Sequence, residues 1–282
     1  MYYQDKIVVI TGGNSGIGKC MAMEIASKGA KVIIWGRNKE TLESTCEEAK
    51  KLGFHMDWYQ CDVSSKDMIY EVAGKVLKAY NQVDVLINNA GVVNGKFLMD
   101  CTDEEISNTM NVNIMASFWS VRAFLPAMEK RNAGQIVTMS SVAGLAGGNK
   151  LVDYCSSKFA TFGFTESLRH ELAAKGLKIK TTLICPYFVK TEMFEGVKTR
   201  FNFILPVLTP DFVASKTVTA IAKQTPYLRL PKFVMVMGLL RLLPTWAFDI
   251  VVNLFGMNQC MDAFVGHGDA STVHQLPDKK AS

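Results

Sequence analysis

The chain reads as an α/β protein, a doubly wound parallel sheet with helices on both faces. Three features point there. Short apolar runs alternate with longer amphipathic stretches, several of those runs are apolar on both sides, and a glycine-rich turn joins the first run to the first helix. Strands apolar on both sides belong to a parallel sheet covered by helices, and their alternation with helices makes right-handed crossovers.

In chain order, the predicted strands are KIVVIT (6–11), KVIIW (31–35), MDWYQC (56–61), VDVLIN (83–88), QIVTMS (135–140) and KIKTTLIC (178–185). Helices are predicted at about 17–28, 39–52, 65–79, 103–130, 153–175 and 210–224. TDEE (102–105) is a capping box, with Thr102 as the cap and Glu105 answering it. No repeat and no linker divides the chain. One domain is expected over 1–228, followed by an apolar extension and polar tail over 229–282.

Of the 282 residues, 49% are hydrophobic and 20% charged, which suits a large packed core and excludes a disordered chain. The net charge of +5 is spread along the chain, so no nucleic-acid footprint is expected. Seven cysteines form no CxxC, and none pairs with one of the four histidines at metal-ligand spacing. Reduced thiols in a cytoplasmic setting and no metal are the expectation. The start of the chain has no charged segment followed by an apolar run, so neither a signal peptide nor an N-terminal anchor is expected.

VVITGGNSGIGKCMAMEIA (8–26) runs strand, glycine turn, helix, with glycines at 12, 16 and 18. Such a turn removes Cβ atoms where backbone must approach a pyrophosphate and aims a helix N-terminus at it. Context makes this a Rossmann-type dinucleotide loop, built from Gly12, Asn14, Ser15, Gly16, Ile17 and Gly18. The second strand ends IIWGRN, with Gly36 where an acidic residue would accept from a ribose hydroxyl and Arg37 beside it. A guanidinium suits a 2′-phosphate, so NADP(H) is favoured over NAD(H).

VDYCSSKFA (152–160) sets Tyr154 and Lys158 four apart, on one face of a helix. A phenol is a poor base near neutrality, and a fixed cation beside it would lower its pKa. The pair reads as a proton shuttle.

Joined, TGGNSGIG (11–18) and YCSSK (154–158) resemble the short-chain dehydrogenase/reductase superfamily, across residues 5–195. The resemblance implies that Asp62 and Val63 contact adenine and that Asn89, Ala90 and Gly91 of NNAG lie beside the cofactor. It makes Asn113, Ser141, Tyr154 and Lys158 the catalytic set. Tyr154 would exchange the proton, Ser141 hold the oxyanion, Lys158 hold the nicotinamide ribose and depress the phenol's pKa, and Asn113 position a water. Pro186, Val189 and Thr191 of CPYFVKTEM would roof the nicotinamide, with Tyr187 where many relatives carry glycine.

The segment over about 192–209 would be the substrate lid, and Ser141, Tyr187, Phe194 and Phe201 would meet the substrate. Similarity is greatest to the branch holding 17-beta-hydroxysteroid dehydrogenases and epidermal retinol dehydrogenases. That implies a lipophilic alcohol or carbonyl (retinoid, steroid or long-chain lipid) and a homodimer. A 3-ketosphinganine-type reductase and a non-catalytic cofactor-binding scaffold on lipid are the alternatives. The apolar stretch 230–264, interrupted by Arg241, Pro244 and Asp249, is expected to lie on a membrane or lipid-droplet surface, with Arg241 and Trp246 at headgroup level. A pocket wall or subunit contact is the other reading of it.

Overall fold

The computed structural model describes residues 2–196, 206–254, 260, 261 and 264. Of the residues expected to meet the substrate, Phe201 lies outside that range.

Seven strands form one parallel sheet: β1 (Ile7–Thr11), β2 (Lys31–Gly36), β3 (Met56–Gln60), β4 (Val85–Asn88), β5 (Gln135–Met139), β6 (Lys180–Pro186) and β7 (Tyr227–Leu230). Their order is β3-β2-β1-β4-β5-β6-β7, with every neighbouring pair parallel. The order reverses between β1 and β4, which opens a crevice at their carboxyl ends.

Strand alternation divides the core into two layers. Val8 and Ile10 of β1 face one side, where α1 (Gly16–Ser27) and α7 (Pro210–Ala222) supply Met21, Ile25, Val218 and Ile221. Ile7 and Val9 face the other, against α3 (Lys66–Tyr80) and α5 (Ala116–Arg131), with Val76, Phe124 and Met128 fully packed. α6 (Val152–Ala174) joins this second layer through Leu168 and Leu172. α2 (Lys39–Lys51) closes the β2–β3 edge and buries Leu42 and Ala49 in the first layer.

Two expectations are corrected. The helix expected over 103–130 is three pieces: α4 (Asp103–Met110), a π-helical turn (Asn111–Met115) and α5. A π-turn adds a residue to the helical repeat and re-aims the side chains within it, and here Asn113 is one of them. The seventh strand was not expected. It is four residues long and pairs Leu183–Pro186 with Tyr227–Leu230. The capping box at Thr102 and Glu105 is present in both directions.

After β7 the apolar stretch breaks at Pro244 into α8 (Met237–Leu240) and α9 (Thr245–Leu254). Among the described residues no helix is long and apolar enough to cross a membrane.

Candidate active site

The turn after β1 is shaped by glycines whose positions leave no room for side chains. Gly12 has φ +64°, and a Cβ there would come 3.1 Å from the Ala90 Cα across the crevice. A Cβ on Gly18 would overlap the Gly12 carbonyl oxygen itself. Asn89 holds this turn from β4's end: its Nδ2 donates to the carbonyls of Thr11 and Gly12 at 3.0 and 3.2 Å. Thr11 Oγ1 in return accepts from the Asn89 and Ala90 backbone N–H groups. The result is a narrow backbone cradle at a helix N-terminus. These features fit the pyrophosphate of a dinucleotide.

A cavity of about 560 Å³ runs from this cradle across the carboxyl ends of the strands. All the residues expected to bind the cofactor line it: Gly12, Asn14, Ser15, Gly16, Ile17, Gly18, Arg37, Asp62, Val63, Asn89, Ala90, Gly91, Tyr154, Lys158, Pro186, Val189 and Thr191. Arg37 is exposed at its rim, and Asp62 is fixed by the Ser64 backbone and hydroxyl at 2.9 and 2.8 Å. The roof segment is pinned by Leu208, whose N–H donates to the Phe188 carbonyl and whose carbonyl accepts from Lys190, both at 2.8 Å.

Tyr154 and Lys158 project from the first two turns of α6 and are each 4% exposed. Lys158 Nζ lies 5.5 Å from the Tyr154 ring centroid and donates to the Met139 carbonyl at 3.0 Å. Ser141 caps the short turn Val142–Gly144 by accepting from Ala143 N–H at 3.1 Å, and its hydroxyl stands beside the Tyr154 phenol. Ser140, next to it, turns inward and donates to the Lys158 carbonyl at 2.9 Å. Asn113 does not reach the cavity lining. Its side chain closes a two-way pair with the Val92 backbone at 2.8 and 3.0 Å and donates to Ser157 Oγ at 2.9 Å.

The electrostatics differ from the expectation. Lys158 does not bring the phenol's pKa down here. Burial raises the Tyr154 pKa, against the smaller lowering effect of the Ser141 hydrogen bond, and burial pulls Lys158 down to about 8. Both groups are wholly enclosed, and removing a charge from water outweighs a cation that is itself desolvated.

Beyond the Tyr154 phenol the walls become apolar. Phe194 meets Tyr154 edge-on at 5.9 Å, Phe188 meets Phe194 at 5.4 Å, and Tyr187 meets Phe188 at 4.9 Å. Leu151, Cys155, Cys260 and Met261 pack into the same cluster. Sequence reasoning missed Phe188 and Cys260. A ring facing this cavity from the residue beside Tyr187, and a contact arriving from more than 100 residues away, have no local signature.

A family model described as short chain dehydrogenase matches residues 6–201. The chain belongs to the short-chain dehydrogenase family. It is 43% identical to human epidermal retinol dehydrogenase 2 over 92% of this chain and 85% of that one. It is 36% identical to human short-chain dehydrogenase/reductase 3, over 92% and 86%. Among solved structures, a short chain dehydrogenase/reductase from Burkholderia phymatum in complex with NAD has a TM-score of 0.78 at 29% identity, covering 90% and 96%. A metagenomic short-chain oxidoreductase in complex with NADP gives 0.68 at 28%, covering 82% and 97%. This short-chain dehydrogenase is therefore an oxidoreductase acting between CH–OH and C=O with a nicotinamide dinucleotide.

The C-terminal stretch of this short-chain dehydrogenase divides in two. Cys260, Met261 and Phe264 fold back onto the apolar cluster around Leu151, Tyr154 and Cys155, with the Phe264 ring seated on Gly95. Residues 237–254 instead leave Leu239, Leu242, Trp246 and Ile250 between 60% and 82% exposed. Arg241 is exposed, with its Nε donating to the Leu145 carbonyl at 2.6 Å and its guanidinium over the Phe159 ring.

Proposed function

We propose that this protein interconverts a lipophilic alcohol of the retinoid class and its aldehyde, using NADP(H), with Tyr154 as the acid and base. The observation that carries this reading is the buried Tyr154 phenol between two unlike surroundings. On one side stand Ser141 and Lys158, and on the other an apolar wall of Leu151, Phe188, Phe194 and Cys260. Such a wall accepts a hydrocarbon body while the polar end meets the phenol. The 43% identity to an epidermal retinol dehydrogenase supports retinoid over steroid or other long-chain carbonyl.

The cradle of Gly12, Gly16 and Gly18 would hold the dinucleotide, whose reduced nicotinamide would supply the hydride for the carbonyl carbon. Tyr154 Oη gives its proton to the carbonyl oxygen, and Ser141 Oγ donates a hydrogen bond to that oxygen as charge develops on it. Lys158 would hold the ribose, and Asn113 ties the Val92 loop to Ser157 of α6. In the oxidative direction the same phenol, ionised, takes the alcohol proton.

The test is NADPH and NADH consumption with detergent-dispersed retinal, keto-steroids and long-chain carbonyls. Turnover with NADPH and retinal is expected, and turnover confined to another carbonyl class would reassign the substrate. Arg37 is the residue that separates the cofactors. Arg37→Ala should raise the KM for NADPH by about tenfold or more and leave that for NADH nearly unchanged, as loss of a charged hydrogen bond requires. Equal effects on both would remove the 2′-phosphate argument.

The exposed Leu239, Leu242, Trp246 and Ile250 support peripheral contact with a lipid surface, through which such a substrate would arrive. Co-sedimentation with phosphatidylcholine vesicles is expected for the protein, and its loss in Leu242→Glu/Trp246→Glu. A double variant that pellets as well as the wild type would rule out this contact.

A further inference from the structure

Among the described residues, Asp153 and Lys158 are the two buried side chains of charged type, and both lie in the first two turns of α6. Lys158 belongs to the site already described. Asp153 does not line the cavity, yet it immediately precedes Tyr154 and is 4% exposed. Its Oδ2 accepts from Asn94 Nδ2 at 2.7 Å and from Thr109 Oγ1 at 2.9 Å. The same Asn94 amide also reaches Thr109 Oγ1 at 3.0 Å and the Glu105 carbonyl at 3.3 Å. Thr109 is fully buried near the end of α4, just before the π-turn that carries Asn113.

This cluster runs beside a second one. Asn113 binds the Val92 backbone and Ser157 Oγ, and Ser157 Oγ itself donates to the Tyr154 carbonyl at 2.7 Å. The backbone of Tyr154 is thus tied on both sides to the same two elements, the loop after β4 and the α4–π segment. One tie comes from Asp153 and the other from Ser157. A carboxylate oxygen receiving two short bonds from buried donors is a strong and directional joint.

We propose that Asp153 is a positioning residue, which fixes the Tyr154 phenol against Ser141 by locking the first turn of α6 to Asn94 and Thr109. The inference rests on the acid–base role of Tyr154 for its kinetic consequence, but not for its geometry. Its test therefore joins a crystal structure to kinetics. In Asp153→Ala, Thr109 Oγ1 loses its acceptor and Asn94 keeps only its contacts with Thr109 and the Glu105 carbonyl, and the Tyr154 phenol should be displaced from Ser141 in the crystal. The kcat should fall on the order of 10²-fold, the effect of misplacing a reacting group by about 1 Å. KM for the carbonyl substrate and affinity for NADPH should hold. Asp153→Asn keeps an acceptor oxygen and should recover most of the rate.

Thr109→Val preserves shape while removing one donor, so it serves if the alanine variant does not fold, and it should lose about tenfold in kcat. An unchanged placement of the Tyr154 phenol beside Ser141 and unchanged kcat in these variants, with only the melting temperature lowered, would overturn the proposal and leave Asp153 a purely structural residue. A wild-type chain inactive with every carbonyl offered would count against the proposed reaction instead, while the crystal geometry would still decide the role of Asp153.

Discussion

Tyr154→Phe is expected to lower kcat by about 10² to 10⁴-fold while leaving NADPH affinity unchanged. That range is what a positioned proton donor contributes. The substitution removes one oxygen and little else. The ring stays 4% exposed and keeps its edge-on contact with Phe194 at 5.9 Å. Ser141 loses the phenol oxygen beside it but keeps the Ala143 N–H at 3.1 Å and a weak donation to the Pro186 carbonyl at 3.4 Å. Stability should therefore change by no more than about 1.5 kcal/mol. Single-turnover nicotinamide absorbance with a retinal substrate separates chemistry from binding, and a melting curve checks the fold. If turnover survived, another group would have to deliver the proton, and Tyr154 would lose its role as the acid.

How much of this was legible in the sequence depends on the range of the interaction concerned. The glycine turn and the Tyr154–Lys158 pair are local patterns, with their spacing set by a βα turn and by 3.6 residues per helical turn, and both lie where the sequence places them. Six of the seven strands are legible in the sequence, most of them as apolar runs. β7 is not, because YLRL carries Arg229 between its apolar positions and follows a proline closely. The π-turn is equally silent: NVNIM holds no glycine or proline, so nothing in its composition separates it from the helix on either side. The Asp153–Asn94–Thr109 cluster spans residues 59 and 44 positions apart, and only the folded chain reveals it.

The pKa directions were illegible for a different reason. Proximity of Tyr154 and Lys158 could be read from the sequence, but the depth of their burial could not. Proximity lowers a phenol's pKa and burial raises it, and the second effect is the larger here. A phenol kept protonated at neutral pH is already in the acid form that carbonyl reduction needs. Oxidation needs the phenolate, so its rate should climb with pH over a range where reduction does not.

Lys158→Met is expected to make the protein more stable at pH 7 and close to inactive. Burial lowers the Lys158 pKa from 10.5 to about 8, so the folded chain sheds this proton more readily than the unfolded one. Between about pH 8 and 10.5 the unfolded chain binds more protons, and wild-type stability must rise with pH across that window. Below pH 8 the whole penalty is present, worth ~3 kcal/mol. Methionine fills a similar volume without charge, so unfolding by urea at pH 7 should show a gain of up to that size, and the rise between pH 8 and 10 should vanish. The gain stays below the full figure because the ammonium's bond to the Met139 carbonyl is lost with it. A variant less stable than the wild type at pH 7 would mean that this bond outweighs the burial penalty. Such a penalty is what the proposed role of Lys158 in the reaction would require, as strained or desolvated groups are common at active sites. Wild-type reduction should accordingly decline above pH 8 as the ammonium discharges, a limb that Lys158→Met cannot show.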